Sequence, residues 1–122
     1  MSDQEFRGIA PKTPAGESIF FYSLDYWIGL CECIRMIIDE NFPPYPSMDP
    51  ETAENVAELL ERRLEFGLVR AYFELEARQR LSDPDIPDAE TEAEVGEYVE
   101  TMLDWTRQYI AFLKECGGCE AA

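Results

Sequence analysis

The chain has 122 residues, enough for one domain with a real core and too few for two domains of ordinary size. It carries 26 acids against 10 bases, a formal net charge of −16, and no histidine. Such a field repels nucleic acid and anionic membranes and attracts basic proteins, and the missing imidazole removes both the commonest general base and the commonest metal ligand.

The apolar fraction of 46% supplies enough surface to offset chain entropy, so the charge does not imply disorder. The start, Met1-Ser2-Asp3-Gln4, lacks a basic region followed by an apolar run, so no signal peptide is expected. That predicts a cytoplasmic protein whose four cysteines are reduced thiols.

Residues 1–17 place Gly8, Pro11, Pro14 and Gly16 among polar residues and read as a flexible N-terminal arm. Residues 18–41 read as the first and most buried helix, in a domain spanning 18–119. Its polar positions Asp25, Glu32 and Asp39 repeat every seven residues, which predicts one narrow exposed stripe. A shorter version starts at Leu24 after a Ser23 cap, with Ile19–Tyr22 as a short extended lead-in. Charges at Asp25, Glu32 and Arg35 each cost about 2.5–3.5 kcal/mol at a membrane centre, so this is a core helix and no span. A helix buried on most sides belongs in the middle of a bundle or in an interface, which leaves a homodimer open.

Pro43, Pro44 and Pro46 make the next connection stiff and extended. Asp49-Pro50-Glu51 is a strong helix start: a capping acid, proline at the first position, then an acid beside the positive end of the dipole. Val56, Leu60, Leu64, Leu68, Tyr72 and Leu75 keep the 3.6-residue period as far as Leu81, and Gly67 is the point where this helix kinks or splits. Ser82–Pro87 is turn-rich. The last helix starts near Asp88 or at Thr91, which with Glu94 has capping-box spacing, and it stops at Gly117-Gly118. The predicted fold is therefore all-α: a single-domain bundle of three helices over about 18–41, 50–81 and 89–116, or of four if Gly67 divides the second.

Charge is unevenly spread. Residues 82–122 hold eleven acids and two bases, and nine acids with no base lie between Arg80 and Arg107. Acids in a first helical turn complement the dipole, which accounts for Glu90, Glu92 and Glu94. Glu97, Glu100 and Asp104 continue along the helix with no lysine at i+4, an arrangement that destabilises it slightly. Asp83, Asp85, Asp88, Glu90, Glu94, Glu97, Glu100 and Asp104 thus form the candidate surface for a basic protein partner. The leading expectation is a non-enzymatic binding protein of immunity, antitoxin or inhibitor type that uses no cofactor and does not bind nucleic acid or membrane. A structural subunit of a helical homo-oligomer is a further reading, resting on whether Phe66, Val69 and Phe73 need another chain to cover them.

A second acidic row, Glu54, Glu58, Glu61 and Glu65, lies on one face of the second helix. Glu58-x-x-Glu61 and Glu97-x-x-Glu100 resemble the paired motifs of the all-α nucleotide pyrophosphohydrolases. That resemblance implies a Mg²⁺ or Mn²⁺ site built from Glu58, Glu61, Glu97, Glu100 and Asp104. In that family the second pair is followed by an aspartate three residues on, whereas Asp104 falls four residues after Glu100.

The cysteines read as Cys31-x-Cys33 and Cys116-x-x-Cys119. Residues two apart on a helix point about 200° apart, so Cys31 and Cys33 cannot both face one ion. Cys31 is mid-helix and Cys116 closes the last helix, which separates them along the axis in either packing direction. The second pair follows a helix, at the negative end of the dipole, where a thiolate is disfavoured. Structural thiols are expected.

Overall fold

A computed structural model describes residues 4–81, 83–85 and 87–122. The chain runs β1 (Gln4–Gly8), a 3-10 turn (Pro14–Gly16), β2 (Ser18–Phe21), α1 (Leu24–Ile37), α2 (Pro50–Glu65), α3 (Leu68–Leu81), α4 (Asp88–Glu115) and β3 (Cys119–Ala121). The all-α expectation is overturned. Four helices are joined by a small antiparallel sheet of order β2-β1-β3.

The sheet arises where the sequence pattern is shortest. In β2 the alternation is strict: Ile19 and Phe21 are buried while Ser18 and Phe20 are exposed. The stretch read as a flexible arm supplies β1, which places Phe6 wholly inside the core. A strand with a single large apolar residue has no periodicity to detect, and β3 has only three residues. The pairing Phe6↔Ile19 on one side and Phe6↔Ala121 on the other fixes the register.

One aromatic knot ties sheet to helices. Phe6 meets Trp27 at a ring-centroid separation of 4.6 Å, Phe21 stacks on Trp105 at 4.7 Å, and Trp27 meets Tyr109 at 5.4 Å. Such pairs contribute about 0.5–1.5 kcal/mol each beyond their buried area. The domain therefore has a core fed from both ends of the chain.

Helix boundaries follow local chemistry. Ser23 is the N-cap residue of α1, although its side chain makes no capping bond. The Asp49 carboxylate accepts the Thr52 N–H at 2.7 Å, and Pro50 opens α2. Gly67 divides α2 from α3 with φ at +81°, a conformation that costs other residues a Cβ clash. Pro87 stands at the N-cap of α4, so the helix begins at Asp88 and Thr91 lies inside it, without a capping box. Ser82 and Ile86, from the connection predicted to be turn-rich, lie outside the described residues; Asp83 and Asp85 between them form a turn in which the Asp85 N–H donates to the Asp83 carboxylate.

Gly117 ends the chain's approach to β3 with φ at +61°, and a Cβ there would stand 2.2 Å from the Ala10 carbonyl oxygen. Only glycine fits that close crossing.

The first helix is shorter and less enclosed than its composition suggests. Its outward stripe includes Ile28 and Met36, the latter 73% exposed, beside the expected Asp25 and Glu32. The proline-rich connection after it is held by side-chain donors of α1. The Trp27 indole N–H donates to the Pro44 carbonyl at 2.7 Å, and the Arg35 Nε–H donates to the Phe42 carbonyl at 2.6 Å. Among the described residues, no helix is long and apolar enough to cross a membrane.

Candidate functional site

The 28-residue α4 spans about 42 Å at 1.5 Å per residue. Val95, Val99, Met102, Leu103, Thr106 and Tyr109 turn inward. That fixes the opposite face outward, and Asp83, Asp85, Asp88, Glu90, Glu94, Glu97, Glu100 and Asp104 are all exposed.

The strip is not uniform. Arg78 of α3 binds Glu92 through two hydrogen bonds, 3.1 Å from Nε and 2.9 Å from Nη2. Arg70, two helical turns earlier on α3, donates to Glu100 at 2.9 Å. The hydrogen bond and then the charge of Arg78 hold the Glu92 carboxyl below its ordinary range. Glu94, Glu97 and Asp104 form no ion pair among the described residues. Asp104 accepts one hydrogen bond, from the Gln108 amide at 2.9 Å. Arg80 forms no ion pair with these three carboxylates: its guanidinium lies 4.4 Å from the Tyr98 ring centroid and 3.9 Å from Glu76. Burial first, then the Glu76 charge, pushes the Tyr98 phenol up, and Arg80 opposes both.

Two surface clefts open beside these carboxylates. One, of about 300 Å³, is lined by Glu94 and Glu97 with Tyr26, Tyr98 and Thr101, and Arg80 stands at its wall. The other, of about 430 Å³, is lined by Tyr22, Glu100, Asp104, Trp105 and Gln108. Between them stands an aromatic group: Tyr22 and Tyr26 pack edge-to-face at 5.6 Å, and Tyr22 lies 5.2 Å from Trp105. Tyr22 is 63% exposed. An exposed tyrosine ring beside carboxylates attracts guanidinium and ammonium groups both by charge and through the ring. Sequence reasoning found the carboxylates and missed Tyr22, because it assigned no role to the residue that bridges a strand and a helix. The alternation Ile19, Phe21 against Phe20, Tyr22 was the available signal.

The five acids of the cation-site reading are not brought together. Glu58 pairs with Arg62 on its own helix, and Glu61 accepts from Lys114 at 2.6 Å. Lys114 stands fourteen positions beyond Glu100 on α4, roughly 21 Å along the axis. Glu61 is thus anchored near the far end of α4 from Glu97 and Glu100. Among the described residues, no three Cys, Asp or Glu side chains converge as a metal-ion site.

All four cysteines are free and buried. Burial pushes the Cys33 and Cys119 thiols up to about 12. The Tyr109 hydroxyl, fully enclosed and with no hydrogen-bond partner among the described residues, is pushed well above the ordinary phenol range by burial first and then by Cys119, Cys31 and Cys116.

Val69 and Phe73, two of the three residues read as needing another chain, are covered by this chain's own core. Phe66, at the α2–α3 joint, is 80% exposed. No protein-family model matches the chain, and no curated protein or solved structure matches it.

Proposed function

We propose that this chain is a non-enzymatic binding protein whose α4 face captures a basic protein, in the manner of an immunity, antitoxin or inhibitor module. The observation that carries this reading is the placement of Glu94, Glu97 and Asp104. They stand exposed along about three turns of one helix, without an ion pair among the described residues, while Arg78 and Arg70 of α3 are spent on Glu92 and Glu100 and Arg80 on Glu76 and the Tyr98 ring. A folded domain gains nothing in stability from holding like charges in line. A partner that brings cations gains electrostatic steering and register. Exposed Tyr22, packed on Tyr26 and on the buried Trp105, adds aromatic area of the kind that anchors an interface.

The test is capture of partners from the source cell at low and high salt, by the native chain and by a variant carrying Glu94→Lys, Glu97→Lys and Asp104→Lys. The native chain retains a basic protein at low salt and releases it as salt rises; the variant, folded by circular dichroism, retains none. Equal retention by both chains at both salt concentrations would remove the reading.

A further inference from the structure

In the antiparallel pair β1–β2, bonded and non-bonded residue pairs alternate. The Gly8 N–H donates to the Glu17 carbonyl at 2.9 Å, which makes Gly8↔Glu17 a bonded pair. Continuing the register, Phe6↔Ile19 and Gln4↔Phe21 are bonded pairs, while Arg7↔Ser18 and Glu5↔Phe20 are not. The far side of β1 agrees: the Ala122 N–H donates to Glu5, and Ile9 donates to Gly118, so odd-numbered residues of β1 face β3. The backbone N–H and C=O of Ser18 and Phe20 therefore point away from the sheet.

The other edge of the sheet is partly covered. Met48 and Cys119 exchange hydrogen bonds of 2.9 Å in both directions, which caps β3 at its first residue. β2 has no such cover among the described residues. It also lacks the lysine, proline or bulge that usually protects an exposed edge, and Phe20 on it is 47% exposed.

Beyond that edge lies a trough between β2 and the outer side of α4. Its walls change character along its length. Near Ile19 it is apolar, lined by Ala111 and Phe112, in a cleft of about 290 Å³. Near Tyr22 it becomes the cleft of Trp105, Asp104 and Glu100, and Gln108 borders both stretches. A strand added to β2 would project alternate side chains down into this trough.

We infer that the free edge of β2 receives an extended, basic segment of the partner, as an added antiparallel strand. This rests on the acidic-face reading above and names the part of the partner that the face selects. The central residue of the segment pairs with Phe20 and exchanges both backbone hydrogen bonds with it. The residue before it lies opposite Phe21, above Trp105 and Asp104, and is arginine or lysine. The residue after it lies opposite Ile19, above Ala111 and Phe112, and is apolar. The recognised order, N- to C-terminal, is thus basic, any residue, apolar. Backbone pairing gives affinity, the two side-chain positions give selectivity, and complementary charge favours this occupant over a second copy of a chain of charge −16.

The probe is a capped heptapeptide of threonines carrying arginine and valine two apart in that order. Titration of the full chain is followed by fluorescence anisotropy and by amide exchange. We expect salt-sensitive binding with slowed exchange at the Ser18 and Phe20 amides. A methyl group on the nitrogen of the residue between arginine and valine weakens binding by about tenfold or more, because it blocks the pair with Phe20. Reversing the order of arginine and valine weakens it as well. Equal binding of methylated and unmethylated peptides overturns the strand pairing and leaves the acidic face standing. No binding by any peptide, with salt-sensitive capture of a basic protein intact, also overturns it. Protection of Ser18 and Phe20 without peptide, together with a dimer in sedimentation, assigns the edge to a second copy and overturns it too. Failure of the acidic-face reading is read separately, from the capture experiment.

Discussion

Arg78 grips Glu92 with two parallel hydrogen bonds across the α3–α4 contact, a bidentate ion pair. With Arg70 on Glu100 it divides the acidic strip into carboxylates the domain uses and carboxylates it leaves to solvent. Replacing both arginines, Arg70→Gln with Arg78→Gln, frees two charges on the same face. Association with a basic partner should then speed up by about threefold or more at low salt, with a steeper salt dependence. Stopped-flow mixing at several salt concentrations measures this, and an unchanged rate would mean that the partner does not approach this face.

The same pair carries a pH signature. The Glu92 carboxyl titrates below its ordinary value of 4.5 in the folded chain, so its contribution to stability is present above that value and lost as pH falls through the lowered one. Asp49 behaves alike, held down by the Thr52 N–H, from an ordinary value of 3.8. Urea unfolding between pH 6 and pH 3 (a window of about three units around these values) should show a shallower acid loss for Arg78→Gln than for the native chain. Identical acid profiles would argue that the pair is open in solution.

Phe6→Ala separates a strand from an arm. A residue on a loose arm is replaced at a cost within about 0.5 kcal/mol, whereas truncating a fully buried phenylalanine costs about 3–5 kcal/mol. Urea denaturation decides, and a neutral result would detach β1 from the core.

Tyr109→Phe removes a hydroxyl that has no partner among the described residues and keeps the ring against Trp27. An unsatisfied buried hydroxyl costs about 1–3 kcal/mol, so the variant should equal or exceed the native chain in stability. A loss of more than about 1 kcal/mol would show instead that the hydroxyl is bonded in solution.

The thiols give the alkaline counterpart. Cys33 and Cys119 titrate near 12 folded and at 9.0 unfolded, so the folded state holds their protons longer. Stability is intact below 9.0 and falls as pH rises toward 12, by about 1.4 kcal/mol per pH unit for each thiol. Below that range the native chain should resist a thiol reagent that labels all four cysteines in urea. Rapid labelling of the native chain would contradict their burial.

What the sequence disclosed depended on how many residues carried each signal. Asp49-Pro50, Gly67 and Gly117-Gly118 marked helix ends because each acts through its own backbone chemistry. The sheet was missed because β1 and β3 carry too few large apolar residues to make a pattern and their pairing joins residues far apart; only β2, through Ile19 and Phe21, showed an alternation. The acids of α4 could be counted but not sorted. Which of them meet an arginine depends on α3 lying alongside, a tertiary fact that neither Glu92 nor Glu94 announces locally. The cation-site motifs show the reverse case: Glu-x-x-Glu spacing within each helix said nothing about the axial offset between Glu61 and Glu100.

Phe6 pairs with Ile19, close to it in the chain, and with Ala121, far from it. Closing the short loop costs less entropy than closing the long one, so β1 and β2 form a hairpin first and the third strand seals the fold last.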